Sequence, residues 1–120
     1  MAKKILVVDD EPDVLKILSL RLEKTGYEVI RGRDGREALD LARRMVPDLI
    51  ILDIYLPDMN GDDITRILKG DERLKAIPII LISATTISIA QRAKECGADG
   101  YIAKPFEPEE LIGMVKKMLE

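Results

Sequence analysis

Short apolar runs alternate with amphipathic segments along the chain. Five runs rich in Ile, Leu and Val have the length of strands, at about residues 4–8, 27–31, 49–53, 78–83 and 101–103. Five other segments place apolar residues every three or four positions, as a helix does, at about residues 12–24, 35–46, 62–70, 87–96 and 107–119. The pattern therefore predicts five strand–helix units in strict alternation.

The composition of the strands predicts how these units are arranged. The first, third and fourth runs are apolar almost throughout, which is typical of strands covered by helices on both faces. Alternating strands and helices form a parallel sheet with right-handed crossovers. We therefore expect one α/β domain over residues 1–120, without an output domain. It should be a doubly wound, flavodoxin-like (βα)5 fold with a five-stranded parallel sheet in the order 2-1-3-4-5.

Polar residues follow or end four of the five strands. Asp9 and Asp10 follow the first strand, Asp53 ends the third, Ser83 ends the fourth and Lys104 follows the fifth. The carboxyl ends of parallel strands share one edge of the sheet, and ligands bind in the crevice at that edge. We therefore expect these side chains to converge, with Asp9 and Asp10 beside Asp53.

This set of residues suits metal-assisted phosphoryl transfer. Neighbouring carboxylates either share protons or bind a cation, and hard oxygen ligands favour Mg²⁺, with Mn²⁺ as an alternative. Asp53 is the candidate nucleophile. Asp10 and Asp53 are the candidate metal ligands, and Asp9 would contribute partly through water. Ser83 and Lys104 could each contact a phosphoryl oxygen.

The composition argues against several other functions. The chain contains no histidine, so it cannot be a histidine-based hydrolase or carry phosphohistidine. Its net charge of −3 argues against direct nucleic-acid binding, which needs a basic surface. No apolar run approaches the ~20 residues that span a bilayer, so we expect no membrane association. Cys96 has no second cysteine to pair with, which favours a reducing, cytoplasmic location.

Together these motifs resemble the receiver domain of two-component response regulators, the fold of the chemotaxis regulators. The resemblance covers nearly the whole chain and rests on four segments and their spacing: Val7–Pro12, Leu52–Gly61, Ile82–Ala84 and Gly97–Phe106. It implies that Asp53 accepts a phosphoryl group from a phosphohistidine on a sensor histidine kinase or a histidine phosphotransfer protein. It also implies Mg²⁺ bound by Asp10, Asp53 and the backbone carbonyl of Tyr55.

The resemblance also implies a conformational switch. Ser83 and Tyr101 would be the switch pair, and their movement would remodel the surface of the fourth helix, fifth strand and fifth helix for a downstream protein partner. The Lys104–Pro105 peptide bond is expected to be cis. We expect a monomer or a weak phosphorylation-linked dimer. We expect no enzymatic activity beyond the domain's own phosphorylation and dephosphorylation.

Two residues that flank the expected phosphoryl group are predicted to set its lifetime. Tyr55 lies two positions after Asp53, and Thr85 lies two positions after Ser83. Hydrolysis needs a water molecule in line with the aspartyl oxygen, and a bulky Tyr55 ring would obstruct it. Gly61 lies in the same loop as Tyr55, and the need for a turn there is enough to explain a glycine at this position.

Three alternative functions stay open at this point. A pseudo-receiver would bind a partner without ever being phosphorylated. An aspartyl-phosphate phosphatase of the haloacid-dehalogenase type would carry two acids two positions apart after the first strand, whereas Asp9 and Asp10 are adjacent. A flavodoxin-like flavin binder would have to bind its phosphate next to these same acids.

Overall fold

All five predicted strands and all five predicted helices form. The computed structural model describes residues 2–84 and 88–120. In chain order the elements are β1 (Lys4–Val8), α1 (Pro12–Lys24), β2 (Glu28–Gly32), α2 (Gly35–Met45), β3 (Leu49–Asp53), α3 (Gly61–Lys69), β4 (Ile79–Ser83), α4 (Ile89–Cys96), β5 (Gly100–Ala103) and α5 (Pro108–Leu119).

The strands form one parallel sheet in the order β2-β1-β3-β4-β5, which confirms the predicted fold class and topology. Every residue of β3 and β4 is buried. These two strands are apolar up to their last residues, Asp53 and Ser83, because helices cover both of their faces.

The helices form two layers, one on each face of the sheet. Alternate residues of a strand point to opposite faces. Leu6 and Val8 of β1 therefore belong to a core with α2, α3 and α4, while Ile5 and Val7 belong to a core with α1 and α5. Within residues 2–84 and 88–120, none of the helices has the length and apolar character needed to cross a bilayer.

Local sequence sets where the helices begin and end. Asp34 caps α2, because its carboxylate accepts the Glu37 N–H at 2.8 Å. α2 ends at Met45, one residue earlier than predicted. Val46 is left-handed with φ 43, and the following Pro47 disfavours a helical conformation there. α4 begins at Ile89 rather than at residue 87, since Ser88 is also left-handed with φ 65; residue 87 lies outside the described residues.

Candidate functional site

The strand register brings the predicted site residues to one edge of the sheet. Val8 pairs with Leu52, so Asp9 lies next to Asp53 across β1 and β3. Asp53 pairs with Ile82, which places Ser83 one residue beyond it on β4. Ser83 in turn pairs with Ala103, the residue before Lys104. Four elements that are distant in sequence therefore supply one cluster.

Lys104 lies at the centre of this cluster. Its Nζ is 2.9 Å from Oδ2 of Asp9, 2.9 Å from Oε1 of Glu11 and 2.9 Å from Oδ2 of Asp53. The Lys104 side chain is 13% exposed, and that of Asp9 is fully buried. One ammonium group therefore contacts three carboxylates, two from the loop after β1 and one from the end of β3.

Burial and charge both alter the acid–base properties of this cluster. Burial alone would lower the pKa of Lys104, but its ion pairs with Asp9, Glu11 and Asp53 raise that pKa above its ordinary value. Burial raises the pKa of Asp9, and the hydrogen bond from the Glu11 N–H and the contact with Lys104 only partly oppose this. Lys104 is therefore a permanent cation at neutral pH.

The carboxylates also fit a divalent cation. Asp9, Asp10, Glu11 and Asp53 each offer a carboxylate oxygen, and these oxygens all lie within 4.8 Å of one another. Lys104 contacts three of these four carboxylates and supplies a single positive charge, so the five groups together keep an excess of negative charge. A set of oxygen ligands without histidine or cysteine is the kind that Mg²⁺ and Mn²⁺ prefer.

The Asp53 carboxylate is held at both of its oxygens. Oδ1 of Asp53 accepts the Tyr55 N–H at 3.0 Å, and Oδ2 accepts from Lys104 at 2.9 Å. The loop then returns to the residue that follows β3, where the Gly61 N–H donates to the Ile54 carbonyl at 2.6 Å. The Asp53 side chain is therefore fixed by its own loop and by Lys104 after β5.

Gly61 is needed for close packing, which corrects the interpretation from turn chemistry alone. A Cβ at this position would collide with the carbonyl oxygen of Asp53, and it would lie 2.9 Å from the Cα of Ile54. Only glycine lets the start of α3 approach the backbone of Asp53 this closely. The sequence carried no signal for this, because the contact joins two different elements.

The other predicted site residues lie as follows. Ser83 is buried at the end of β4. Tyr101 pairs with Leu81 on the neighbouring strand and is 46% exposed, so its ring is at the surface. The Lys104–Pro105 peptide bond is cis. Thr85 lies outside the described residues, and its role stays a prediction.

Two sets of contacts around the loop after β3 were not predicted from the sequence. Arg92 of α4 pairs with Asp62 of α3 and also donates to the Tyr55 hydroxyl at 2.8 Å. Asp58 accepts the backbone N–H groups of Gly35 at 2.7 Å and Arg36 at 3.0 Å, and so caps α2 from outside. The sequence alone explains Asp58 as a turn residue and Asp62 as an acidic residue in the first turn of a helix, so it gave no reason to expect these contacts.

Comparison with known proteins identifies the family. The family model described as the response regulator receiver domain matches residues 5–116. The chain belongs to this family. Among curated receiver-containing relatives, the polar-differentiation response regulator DivK of Brucella ovis is 40% identical over 99% of this chain and 98% of its own length. The DNA-binding response regulator MtrA of Mycolicibacterium smegmatis is 39% identical, and this chain spans 51% of its length.

Solved structures agree with the assignment as a receiver domain. The chemotaxis response regulator CheY4 of Vibrio cholerae superposes with a TM-score of 0.92 at 34% identity, covering 99% of this chain and 100% of that one. The receiver domain of the sensor histidine kinase PA1611 from Pseudomonas aeruginosa gives a TM-score of 0.90 at 29% identity, covering 99% and 98%. That structure has a magnesium ion coordinated in its active-site cleft.

Membership of the family fixes the general function. Receiver domains act in two-component signalling and are phosphorylated on an aspartate. They bind Mg²⁺ in an acidic cleft, and they interact with histidine kinases or phosphotransfer proteins and with downstream effectors. The predicted family and fold are therefore confirmed.

Proposed function

We propose that this receiver domain accepts a phosphoryl group on Asp53 from a phosphohistidine of a sensor histidine kinase or a histidine phosphotransfer protein. The observation that carries the proposal is the contact of Lys104 with Asp53 at 2.9 Å inside a cluster of four carboxylates. Asp53 ends a buried strand, yet its carboxylate lies at the edge of the sheet, where a donor can reach it.

The residues of the chain divide the chemistry among them. An oxygen of Asp53 attacks phosphorus, the bond from phosphorus to the donor nitrogen breaks, and an aspartyl phosphate forms. Lys104 is placed to pair with a phosphoryl oxygen, which adds positive charge where negative charge gathers in the transition state. The Ser83 hydroxyl is the second candidate ligand of the phosphoryl group.

A divalent cation completes this site in our proposal. Asp10, Asp53 and the Tyr55 carbonyl would hold Mg²⁺, with Asp9 contributing through water. When bound, the ion neutralises charge on the phosphoryl oxygens. The fit of the carboxylate oxygens supports this, as does the magnesium ion in the related PA1611 receiver domain.

The output would be a change at the face formed by α4, β5 and α5. We propose that Ser83 moves toward the phosphoryl group and that the exposed Tyr101 ring turns inward behind it. Phosphorylation then shifts a two-state equilibrium and presents this face to a downstream protein partner. Asp99, just before β5, is paired with Lys69 at 2.8 Å within its own chain. This favours a monomer over a dimer made through that acid.

Phosphorylation by a small-molecule donor tests the proposal. With acetyl phosphate and Mg²⁺, intact-mass spectrometry should show one added phosphoryl group, and Asp53→Asn should abolish it. Beryllium fluoride with Mg²⁺ should change the nuclear magnetic resonance (NMR) spectrum of the wild type and leave that of Asp53→Asn unchanged. A protein that does neither is a pseudo-receiver, and the proposal is then wrong.

Two further measurements test for a phosphatase and for a flavin carrier. Repeated turnover of p-nitrophenyl phosphate, rather than a single phosphorylation, would indicate a phosphatase. Visible absorbance from a bound flavin in the purified protein would indicate a flavodoxin-like carrier. We expect neither result, because the nucleophile is on β3 and acidic side chains fill the loop after β1.

A further inference from the structure

An ion pair joins α3 and α4 close to the proposed acceptor. Nε of Arg92 donates to Oδ2 of Asp62 at 3.0 Å, and Nη2 donates to Oδ1 at 3.0 Å. The fork of the guanidinium matches the two carboxylate oxygens, so this pair has a defined orientation. Both side chains are largely covered, at 23% exposed for Arg92 and 10% for Asp62.

The same guanidinium also contacts Tyr55. Nη1 of Arg92 donates to the Tyr55 hydroxyl at 2.8 Å. The guanidinium carbon lies 5.2 Å from the centroid of the Tyr55 ring, within the range of a cation–π contact. Tyr55 is 46% exposed, so without Arg92 its ring would have considerable freedom in solvent.

Tyr55 is also tied to the acceptor through its backbone. Its N–H donates to Oδ1 of Asp53 at 3.0 Å, while its side chain reaches to α4. Tyr55 therefore runs from its backbone contact with Asp53 to α4, where its hydroxyl meets Arg92. A ring held there limits the positions from which water can approach a phosphoryl group on Asp53 in line.

We propose that Arg92 is a positioning residue that holds the Tyr55 ring beside the acceptor and so slows hydrolysis of the aspartyl phosphate. The inference rests on the proposed function of Asp53. Arg92 acts through Tyr55, and Asp62 fixes the plane of the guanidinium from α3. Because Arg92 belongs to α4, a partner that shifts α4 would also change the lifetime of the phosphorylated state.

The test compares dephosphorylation rates in two backgrounds. The wild type and Arg92→Ala are phosphorylated with acetyl phosphate and Mg²⁺, the donor is removed, and the loss of phosphoryl-protein is followed by mass spectrometry. We expect Arg92→Ala to speed the loss by about fivefold. In a Tyr55→Ala background, adding Arg92→Ala should change the rate little, because the ring it acts through is gone.

A matched control and a structural readout accompany these rates. Arg44→Ala removes an exposed ion pair to Asp40 on α2 and should leave the rate unchanged. NMR of the tyrosine rings, without metal or phosphate, should show Tyr55 signals moving toward those of a free ring in Arg92→Ala. The Tyr27 signals should stay in place. If Arg92→Ala folds poorly, Arg92→Lys keeps the charge but loses the fork, and should give an intermediate rate.

The outcomes distinguish the two proposals. A wild type that cannot be phosphorylated overturns the proposed function, and the inference with it. A phosphorylated wild type whose rate matches that of Arg92→Ala overturns the inference alone. So does an equal acceleration with and without the Tyr55 ring, since Arg92 would then act by another route.

Discussion

Nζ of Lys104 lies 2.9 Å from Oδ2 of Asp53, although the two residues are 51 positions apart in the chain. The lysine and aspartate side chains are only 13% and 6% exposed. The same ammonium contacts Asp9 and Glu11, so it balances charge from the loop after β1 as well as from the end of β3. Lys104 therefore has a structural role before any phosphoryl group arrives.

Removing this ammonium should destabilise the metal-free fold. Lys104→Met leaves the carboxylates of Asp9 and Asp53 without their counter-ion, and we expect the free energy of unfolding to fall by about 3 kcal/mol. Urea denaturation without divalent cations measures this decrease in the free energy of unfolding. Added Mg²⁺ should raise the melting temperature of this variant more than that of the wild type. An ion that binds the folded state stabilises it, and in the variant the ion would also replace the missing counter-ion.

An exposed ion pair supplies the control for that experiment. Lys75→Met removes a pair between Lys75 and Glu72 on the surface, which should cost no more than about 0.5 kcal/mol. If Lys104→Met costs as little as Lys75→Met, the ammonium is not the counter-ion that holds this cluster together.

Gly61 should not tolerate a methyl group. In Gly61→Ala the new Cβ would collide with the Asp53 carbonyl oxygen, so the loop after β3 must shift. We expect a loss of about 1–3 kcal/mol in unfolding free energy and slower phosphorylation of Asp53. Thermal denaturation and the acetyl phosphate assay measure these two effects.

Gly113 offers a matched comparison with Gly61. It lies in α5, and a Cβ there would have no neighbour within 4 Å. Gly113→Ala should therefore stabilise the protein by roughly 0.5–1 kcal/mol through helix propensity. Equal effects at both positions would contradict the close packing that we assign to Gly61.

Tyr55 should lengthen the life of the aspartyl phosphate. In Tyr55→Asn the ring is lost, and a carboxamide can orient the attacking water. We expect autodephosphorylation to speed up by roughly tenfold, equal to about 1.4 kcal/mol of activation free energy. Phosphate release after removal of the donor measures it. An unchanged or slower rate would show that the ring does not restrict the water.

Asp58 should stabilise the fold in a way that depends on pH. The Gly35 N–H, helped by that of Arg36, lowers the pKa of Asp58 below its ordinary value of 3.8 and outweighs the effect of burial. A carboxyl whose folded pKa is lowered stabilises the protein above its unfolded pKa. That stabilisation is lost as the pH falls through the lower, folded value.

The Asp58→Ala variant tests this relationship. We expect it to lower the free energy of unfolding by about 1 kcal/mol at pH 7, the usual effect of losing a helix cap. The difference from the wild type should shrink as the pH falls below 4, where the carboxylate becomes protonated in both states. Chemical denaturation across this range measures it. A difference that stays constant with pH would mean that the carboxylate charge contributes nothing.

Most of the fold was predictable because buried positions are occupied by apolar residues, and their spacing along the sequence differs between strands and helices. Strands covered on both faces must be largely apolar, and β3 and β4 are apolar up to their last residues, Asp53 and Ser83. The boundaries were less predictable, since single residues set them. α2 ends where Val46 turns left-handed before Pro47, and α4 begins after the left-handed Ser88.

The convergence of Asp9, Asp53 and Lys104 follows from the sequence alone. Parallel strands end at a common edge, so residues that follow them must meet whatever the details of packing. The contacts of Arg92 with Tyr55, 37 residues away, and of Gly61 with the Asp53 backbone could not be deduced in this way. These contacts depend on the orientation of α3 and α4 against the sheet. Packing of the whole core determines that orientation, and a local sequence pattern does not reveal it.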